Sequence, residues 1–423
     1  MRAKLKSLLS TTTFKQSQVT LVGTIINGVL GAAFYILMAR FLGPFNFGLL
    51  TVSIATLTLI ADIVDFGTNT GLVRFVSSNI SSNKEKAWRF LKLSLKIKFA
   101  VWILVLILGV IISPFVAEVV FNKADLITPL RLVMFGVGGV LLFSFATSSL
   151  QAFQKYFTWS FVNIFTNLLR LVFILVLFFY QQLNLTSGLL IYLLLPFFGF
   201  SLAMLFIPVK KIFSVRDEFK VAKEFFSYNF WVALFTIVAA VSARLDTFLT
   251  ARLLTAQEVG IYGAANQLVQ VVPQIVSALG IVVAPKFASF VSTKQMIEYF
   301  KKLQLMVIGL ALIGLVAIPL SFYVIPLAFG PKYTDAIVPF IILLLAMLIF
   351  LISVPLHNSI IYYFGKPKVF VWVSLGHLLV MTILGYFLIS SYGIIGAALT
   401  VVAGTLFDFV VPLFWFLRKL RKG

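Results

Sequence analysis

Four of the charged residues inside the long apolar runs of this 423-residue chain stand out: Arg170, Arg244, Asp246 and Asp408. Placing such a group mid-bilayer costs about 2.5–3.5 kcal/mol on insertion scales, so each needs a partner or a task. Arg170 ends a row of Ser160, Asn163 and Asn167, whose spacings of three, four and three share one helix face. A face of that kind lines a hydrated cavity. There a planar guanidinium can grip a phosphate or pyrophosphate with parallel donors. A structural reading stands beside it, in which Arg170 pairs with Asp408 or a similar acid and locks helices together.

Arg244 and Asp246 are two positions apart, about 200° around a helix, so each must find its partner elsewhere. Arg244 reads as a contact to a sugar phosphate or as half of an interhelical ion pair. Asp246 and Asp408 read as coupling or gating groups, or again as pairs. Asn266, Gln270 and Gln274 recur every four residues, with Gln267 adjacent and Pro273 predicted to bend their helix. Amides in that arrangement bond sugar hydroxyls or join helices. Thr20, Thr24 and Asn27 form a weaker stripe of the same kind. His357 and His377 fall on separate spans without clustered cysteine or acidic partners, which favours packed polar residues over a proton relay or a metal site. Lys332 and Asp335 beside Gly330-Pro331 read as an outer turn. No cofactor is expected.

The elements that must carry these residues are membrane spans. Hydrophobic residues make up 61% of the chain and charged ones 11%, which excludes a water-soluble domain. Continuous apolar runs of roughly 20 residues suit helices crossing hydrocarbon, not the alternating strands of a barrel. Twelve are expected, near 18–39, 46–66, 98–121, 128–152, 158–180, 187–208, 228–253, 259–284, 303–328, 336–363, 369–389 and 393–417. The fold class is therefore an all-α polytopic membrane protein.

The net charge of +21 raises the possibility of a nucleic-acid partner, but its placement answers differently. On the twelve-span reading 27 of the 34 Lys and Arg, Lys98 included, gather on one side, and only Arg40, Lys123, Arg131, Arg252 and Lys332 lie at the opposite ends. The positive-inside bias then puts both termini in the cytoplasm of a multi-pass cell-membrane protein, with membrane lipids as neighbours and no nucleic acid. The basic start, 1–16, is expected to lie on the inner leaflet and not to be a cleaved signal. Without cysteine, redox compartment is not readable.

A repeat divides the chain. Ala39-Arg40-Phe41-Leu42 with Phe47-Gly48-Leu49 recurs 212 residues later as Ala251-Arg252-Leu253-Leu254 with Val259-Gly260-Ile261. The same offset pairs Arg74-Phe75-Val76-Ser77 with Lys286-Phe287-Ala288-Ser289. The expected organisation is a basic arm (1–17), a six-helix lobe (18–208), a cytoplasmic linker (209–224), a second six-helix lobe (225–417) and a basic tail (418–423). An even number of spans per lobe makes these parallel repeats.

The turn Ala39-Arg40-Phe41-Leu42-Gly43-Pro44 with Phe47-Gly48, then Asp65-Phe66-Gly67 with Gly71 and Arg74, resembles the opening of polysaccharide-exporter proteins. Arg244-Leu245-Asp246-Thr247, Val259-Gly260-Ile261-Tyr262-Gly263-Ala264-Ala265 and Tyr392-Gly393-Ile394-Ile395-Gly396-Ala397-Ala398 fit as well. Along essentially its whole length the chain resembles the Wzx-type polysaccharide flippases of the multidrug/oligosaccharidyl-lipid/polysaccharide exporter superfamily. That resemblance implies a V-shaped, alternating-access flippase that moves a polyprenyl-(pyro)phosphate-linked oligosaccharide from the cytoplasmic to the outer leaflet. It admits a coupling ion, Na+ or H+, and other polysaccharide-assembly proteins as partners.

The residues also bear on rival readings. With no nucleotide-binding loop and no soluble segment of ATPase size, energy must come from an ion gradient, the membrane potential or consumption of the carrier. A glycosyltransferase needs acidic residues in a sizeable external loop, whereas the expected external connections run only about four to eight residues. A drug/cation antiporter of the same superfamily would favour an acidic cavity, and the first span has no Asp or Glu. Lipid II flippases commonly carry further helices, for which twelve spans leave no room. A non-transporting scaffold has no need of buried charge.

Overall fold

The structure is a computed structural model that describes residues 12–216 and 219–421. Residues 1–11 of the basic arm, Asp217 and Glu218 of the linker, and Lys422 and Gly423 of the tail lie outside the described residues. Among the described residues there is helix and no strand.

The first helix, α1 (Thr12–Val64), is continuous but for Gly43, whose φ of 73° turns the chain before Pro44. Only glycine takes that backbone conformation without strain, and proline restricts the residue before it, so Gly43-Pro44 splits α1 into two spans. The last helix, α16 (Lys368–Arg421), is divided likewise at Gly393, φ 57°. Among the described residues nine helices are long and apolar enough to cross a membrane, and one bent pair makes a tenth. Two of these ten are the 53- and 54-residue helices divided by glycine, so they count twice and the expected twelve spans result.

Between them run α2 (Thr68–Asn79), α3 (Lys84–Phe115), α4 (Ile127–Ala152), α5 (Tyr156–Phe179), α6 (Leu185–Met204), the short α7 (Val209–Ser214) and α8 (Phe219–Ser242). There follow α9 (Leu245–Leu253), α10 (Ala256–Val269), α11 (Val271–Ala288), α12 (Thr293–Gly314), α13 (Ala317–Phe329), α14 (Ile337–Ile352) and α15 (Val354–Asn358). Local chemistry sets several starts. Asn83 accepts from the Lys86 N–H at the start of α3, and reciprocal capping boxes, Asn184 with Ser187 and Thr255 with Glu258, open α6 and α10.

Breaks inside spans also have local causes. The seventh span is interrupted at Arg244, which caps α9. The eighth breaks at Gln270, as expected from Pro273, which cannot donate to the carbonyl four residues before it. The bent pair α12–α13 turns by 43°, and Pro319, just past the break, likewise has no N–H for the helix ladder. The third span differs from expectation. Its helix begins at Lys84, so the basic approach and the membrane run are one element.

Two compact units are distinguished, 1–42 with Ser53–Ala240, and Gly43–Val52 with Val241–Gly423. In the first, Leu72, Phe75, Phe90, Leu91, Phe145 and Phe225 build a closed apolar cluster from α2, α3, α4 and α8. The Phe75 and Phe90 rings stack at 4.7 Å. Beside them Gly67 and Gly71 leave room for α8, since a Cβ there would stand 2.6 Å from Val232 and 2.2 Å from Asn229.

In the second unit the repeat becomes a contact. A Cβ on Gly48 would meet the Ala256 carbonyl oxygen at 1.8 Å, and one on Gly260 would meet the Pro44 carbonyl oxygen at 1.9 Å. Pro44 with Ala256, and Gly48 with Gly260, are each 212 residues apart. The two repeat copies therefore pack on each other through reciprocal backbone contacts that only glycine permits.

Candidate functional site in the membrane helices

In the first unit, polar side chains of α1 and α5 face each other. A Cβ on Gly23 would lie 2.5 Å from the Ser160 hydroxyl, so the helices approach closely there, and Ser160 donates to the Val19 carbonyl at 3.3 Å. Asn167 donates to Asn27 Oδ1 at 2.8 Å, joining the two stripes read from sequence. Asn163 donates to the Trp159 carbonyl of its own helix at 2.8 Å and is half-buried.

Arg170 lies at the end of this row. Its guanidinium carbon stands 4.3 Å from the Tyr192 ring centre and 5.6 Å from that of Phe34, and its Nε is buried without a hydrogen-bond partner. Among the described residues no acid pairs with it. Two aromatic faces hold the guanidinium by cation–π attraction.

The second unit holds Asp246 and Asp408. Asp246 is 7% exposed and accepts from the Tyr262 hydroxyl at 2.6 Å and the Thr247 hydroxyl at 3.3 Å. Gln270 donates to Asn266 Oδ1 at 3.1 Å, while Gln274 is exposed. Asp408 lies 2.8 Å from His377 Nδ1, and His357 Nε2 stands 3.0 Å from the Asp408 backbone oxygen. The expectation that the histidines lack an acidic partner is thus corrected for His377, while His357 meets only the Asp408 backbone. They sit 20 residues apart on different helices, and tertiary packing brings both to Asp408. Among the described residues no group of three ligand-type side chains could hold a metal.

One pair went unforeseen. Lys98, counted from sequence as a cytoplasmic cation, is 1% exposed and forms an ion pair with Asp65. Asp65 also accepts from the Thr68 hydroxyl at 2.9 Å and the Asn69 N–H at 3.2 Å, and Ser144 lies 3.3 Å from the ammonium. The signal available was the lone acid of Asp65-Phe66-Gly67 beside a left-handed turn, Phe66 at φ 49° and Gly67 at φ 69°.

The description of the polysaccharide biosynthesis protein family fits residues 14–291, about two thirds of the chain. The chain belongs to that family. A curated relative, the putative O-antigen transporter of Shigella flexneri, is 24% identical over 191 residues, 45% of this chain and 46% of the relative. The matched segment thus spans less than half of that relative. Among solved structures, a lipid II flippase MurJ in an inward closed conformation is similar with a TM-score of 0.74 at 16% identity, covering 94% of this chain and 87% of that one. The MATE multidrug transporter DinF-BH gives 0.69 at 12% identity over 96% and 94%. A transporter of the same superfamily from Pyrococcus furiosus, described as having a binding pocket of reverse polarity, gives 0.60 at 12% identity over 96% and 94%. The fold is the one these lipid II flippase and MATE transporter structures share.

Proposed function

We propose that this protein flips a polyprenyl-(pyro)phosphate-linked oligosaccharide from the cytoplasmic to the outer leaflet of the cell membrane, by alternating access of two six-helix lobes, 18–208 and 225–417, joined by the linker 209–224. The observation that carries the reading is Arg170, an intramembrane guanidinium with ring faces for neighbours and no carboxylate among the described residues. Keeping such a charge in the membrane is costly unless an anion visits it. Asn163 and Asn167 then meet sugar hydroxyls on the same face as Arg170, and Asn266, Gln270, Gln274 and Arg244 are the substrate-binding candidates of the second unit. The polyprenyl chain stays in lipid.

Asp246 and Asp408, in the second lobe, are the coupling or gating groups, with Na+ or H+ as the coupled ion. Both termini face the cytoplasm, and polysaccharide-assembly proteins receive the product. The family match and the O-antigen transporter relative support the substrate class. The drug/cation antiporter reading would favour an acidic cavity, and the first span has no Asp or Glu.

The test is transport by the purified protein in proteoliposomes, offered in parallel a fluorescent polyprenyl-pyrophosphate sugar and a fluorescent organic cation. Translocation of the first alone supports the proposal. Movement of the cation alone overturns it.

A further inference from the structure

We propose a second anion site, at the membrane surface of the first unit, that takes the phosphate of an anionic phospholipid headgroup. A cleft of about 550 Å³ opens between the first turns of α3 and the short helix α7. Trp88 and Arg89 line it from α3, and Lys211, Ser214 and Arg216 line it from α7 and the residues after it. The acid in its wall, Glu85, is engaged by Arg89 at 2.5 Å. Lys211 and Arg216 have no acidic partner among the described residues, and the Lys211 ammonium lies 6.0 Å from the Trp88 ring centre. Lys92 donates to the Val215 carbonyl at 2.6 Å, tying the end of α7 to α3 and giving the cleft a fixed wall.

A lipid fits this cleft better than a soluble phosphate because of what surrounds it. Ile212 of α7 is fully buried, whereas its neighbour Phe213 is 58% exposed, and Leu205 just before the helix is 79% exposed. That is the pattern of a helix lying in the interface, with apolar side chains toward acyl chains and lysines at headgroup level. Basic pockets between helices at this level are suited to anionic headgroups, and indole rings favour the same depth. Lys210, also exposed on α7, adds to the local field.

The experiment uses the full chain in nanodiscs of phosphatidylcholine doped with phosphatidylglycerol, counting retained phosphatidylglycerol by native mass spectrometry. Lys211→Gln/Arg216→Gln strips two cations from the cleft and should weaken retention by about tenfold or more. Lys366→Gln/Lys368→Gln, which removes two cations elsewhere, should leave it unchanged. Equal loss in both double variants, or no loss in either, overturns the site. In a parallel arm, inorganic phosphate is added to wild type at millimolar concentration. If it displaces the lipid completely, the cleft is a soluble-phosphate site and the lipid assignment fails.

Discussion

Replacing Asp65 by asparagine is the substitution whose cost follows most directly from the structure. Lys98 is almost completely buried, and Asp65 is its acidic partner, with the Ser144 hydroxyl the other polar neighbour. Asp65→Asn keeps the shape but strips the counter-charge, leaving an ammonium in a dry helix cluster. Removing one partner of a buried pair costs about 3–5 kcal/mol, because the remaining charge keeps its desolvation penalty. Lys98→Met should cost less, since the carboxylate it leaves behind still accepts from Thr68 and Asn69. The double variant, Asp65→Asn with Lys98→Met, removes both charges and should recover most of the loss of Asp65→Asn, as buried pairs exchanged for apolar residues often do. Reversible unfolding by SDS in mixed micelles, followed by tryptophan fluorescence, supplies the four free energies of the cycle. If Asp65→Asn unfolds like wild type, or the double variant is no more stable than Asp65→Asn, the pair does not hold these helices as described.

Other expectations are narrower. Gly48→Ala should destabilise by at least about 1–3 kcal/mol, since its methyl group would overlap the Ala256 carbonyl, whereas Gly31→Ala, with open space around it, should be neutral or gain up to about 1 kcal/mol; paired melting curves in detergent check both. Tyr262→Phe leaves Asp246 without its shortest donor and should cost about 1–3 kcal/mol in the same melts, while a null result would make that hydrogen bond incidental.

The spans were legible because hydrocarbon thickness imposes a length on apolar runs, and Gly43-Pro44 announced its turn through backbone sterics alone. The 212-residue repeat was readable as equivalence, yet not as touch: similarity between Phe47-Gly48-Leu49 and Val259-Gly260-Ile261 does not say that Gly48 packs on Ala256. The burial of Lys98 was hidden for a related reason. It follows a run of basic residues, and only the helix starting at Lys84 and the distant Asp65 turn it inward. The Arg170 row was visible as a face, but the aromatic seat made by Phe34 and Tyr192 joins three helices and has no local signature. Asp408 shows the same limit, since neither histidine is near it in the chain.

We propose that the guanidinium of Arg170, which has no acidic partner among the described residues, carries the phosphates of the lipid-linked sugar, and one comparison tests it. Initial rates of polyprenyl-pyrophosphate sugar translocation would be measured in proteoliposomes containing wild type, Arg170→Lys or Arg170→Ala at matched insertion and melting temperature. Translocation should be abolished in Arg170→Ala and partly retained in Arg170→Lys, which keeps the charge but loses the planar fork. Undiminished flipping by Arg170→Ala would contradict the account and leave Arg170 as a packing residue between Phe34 and Tyr192.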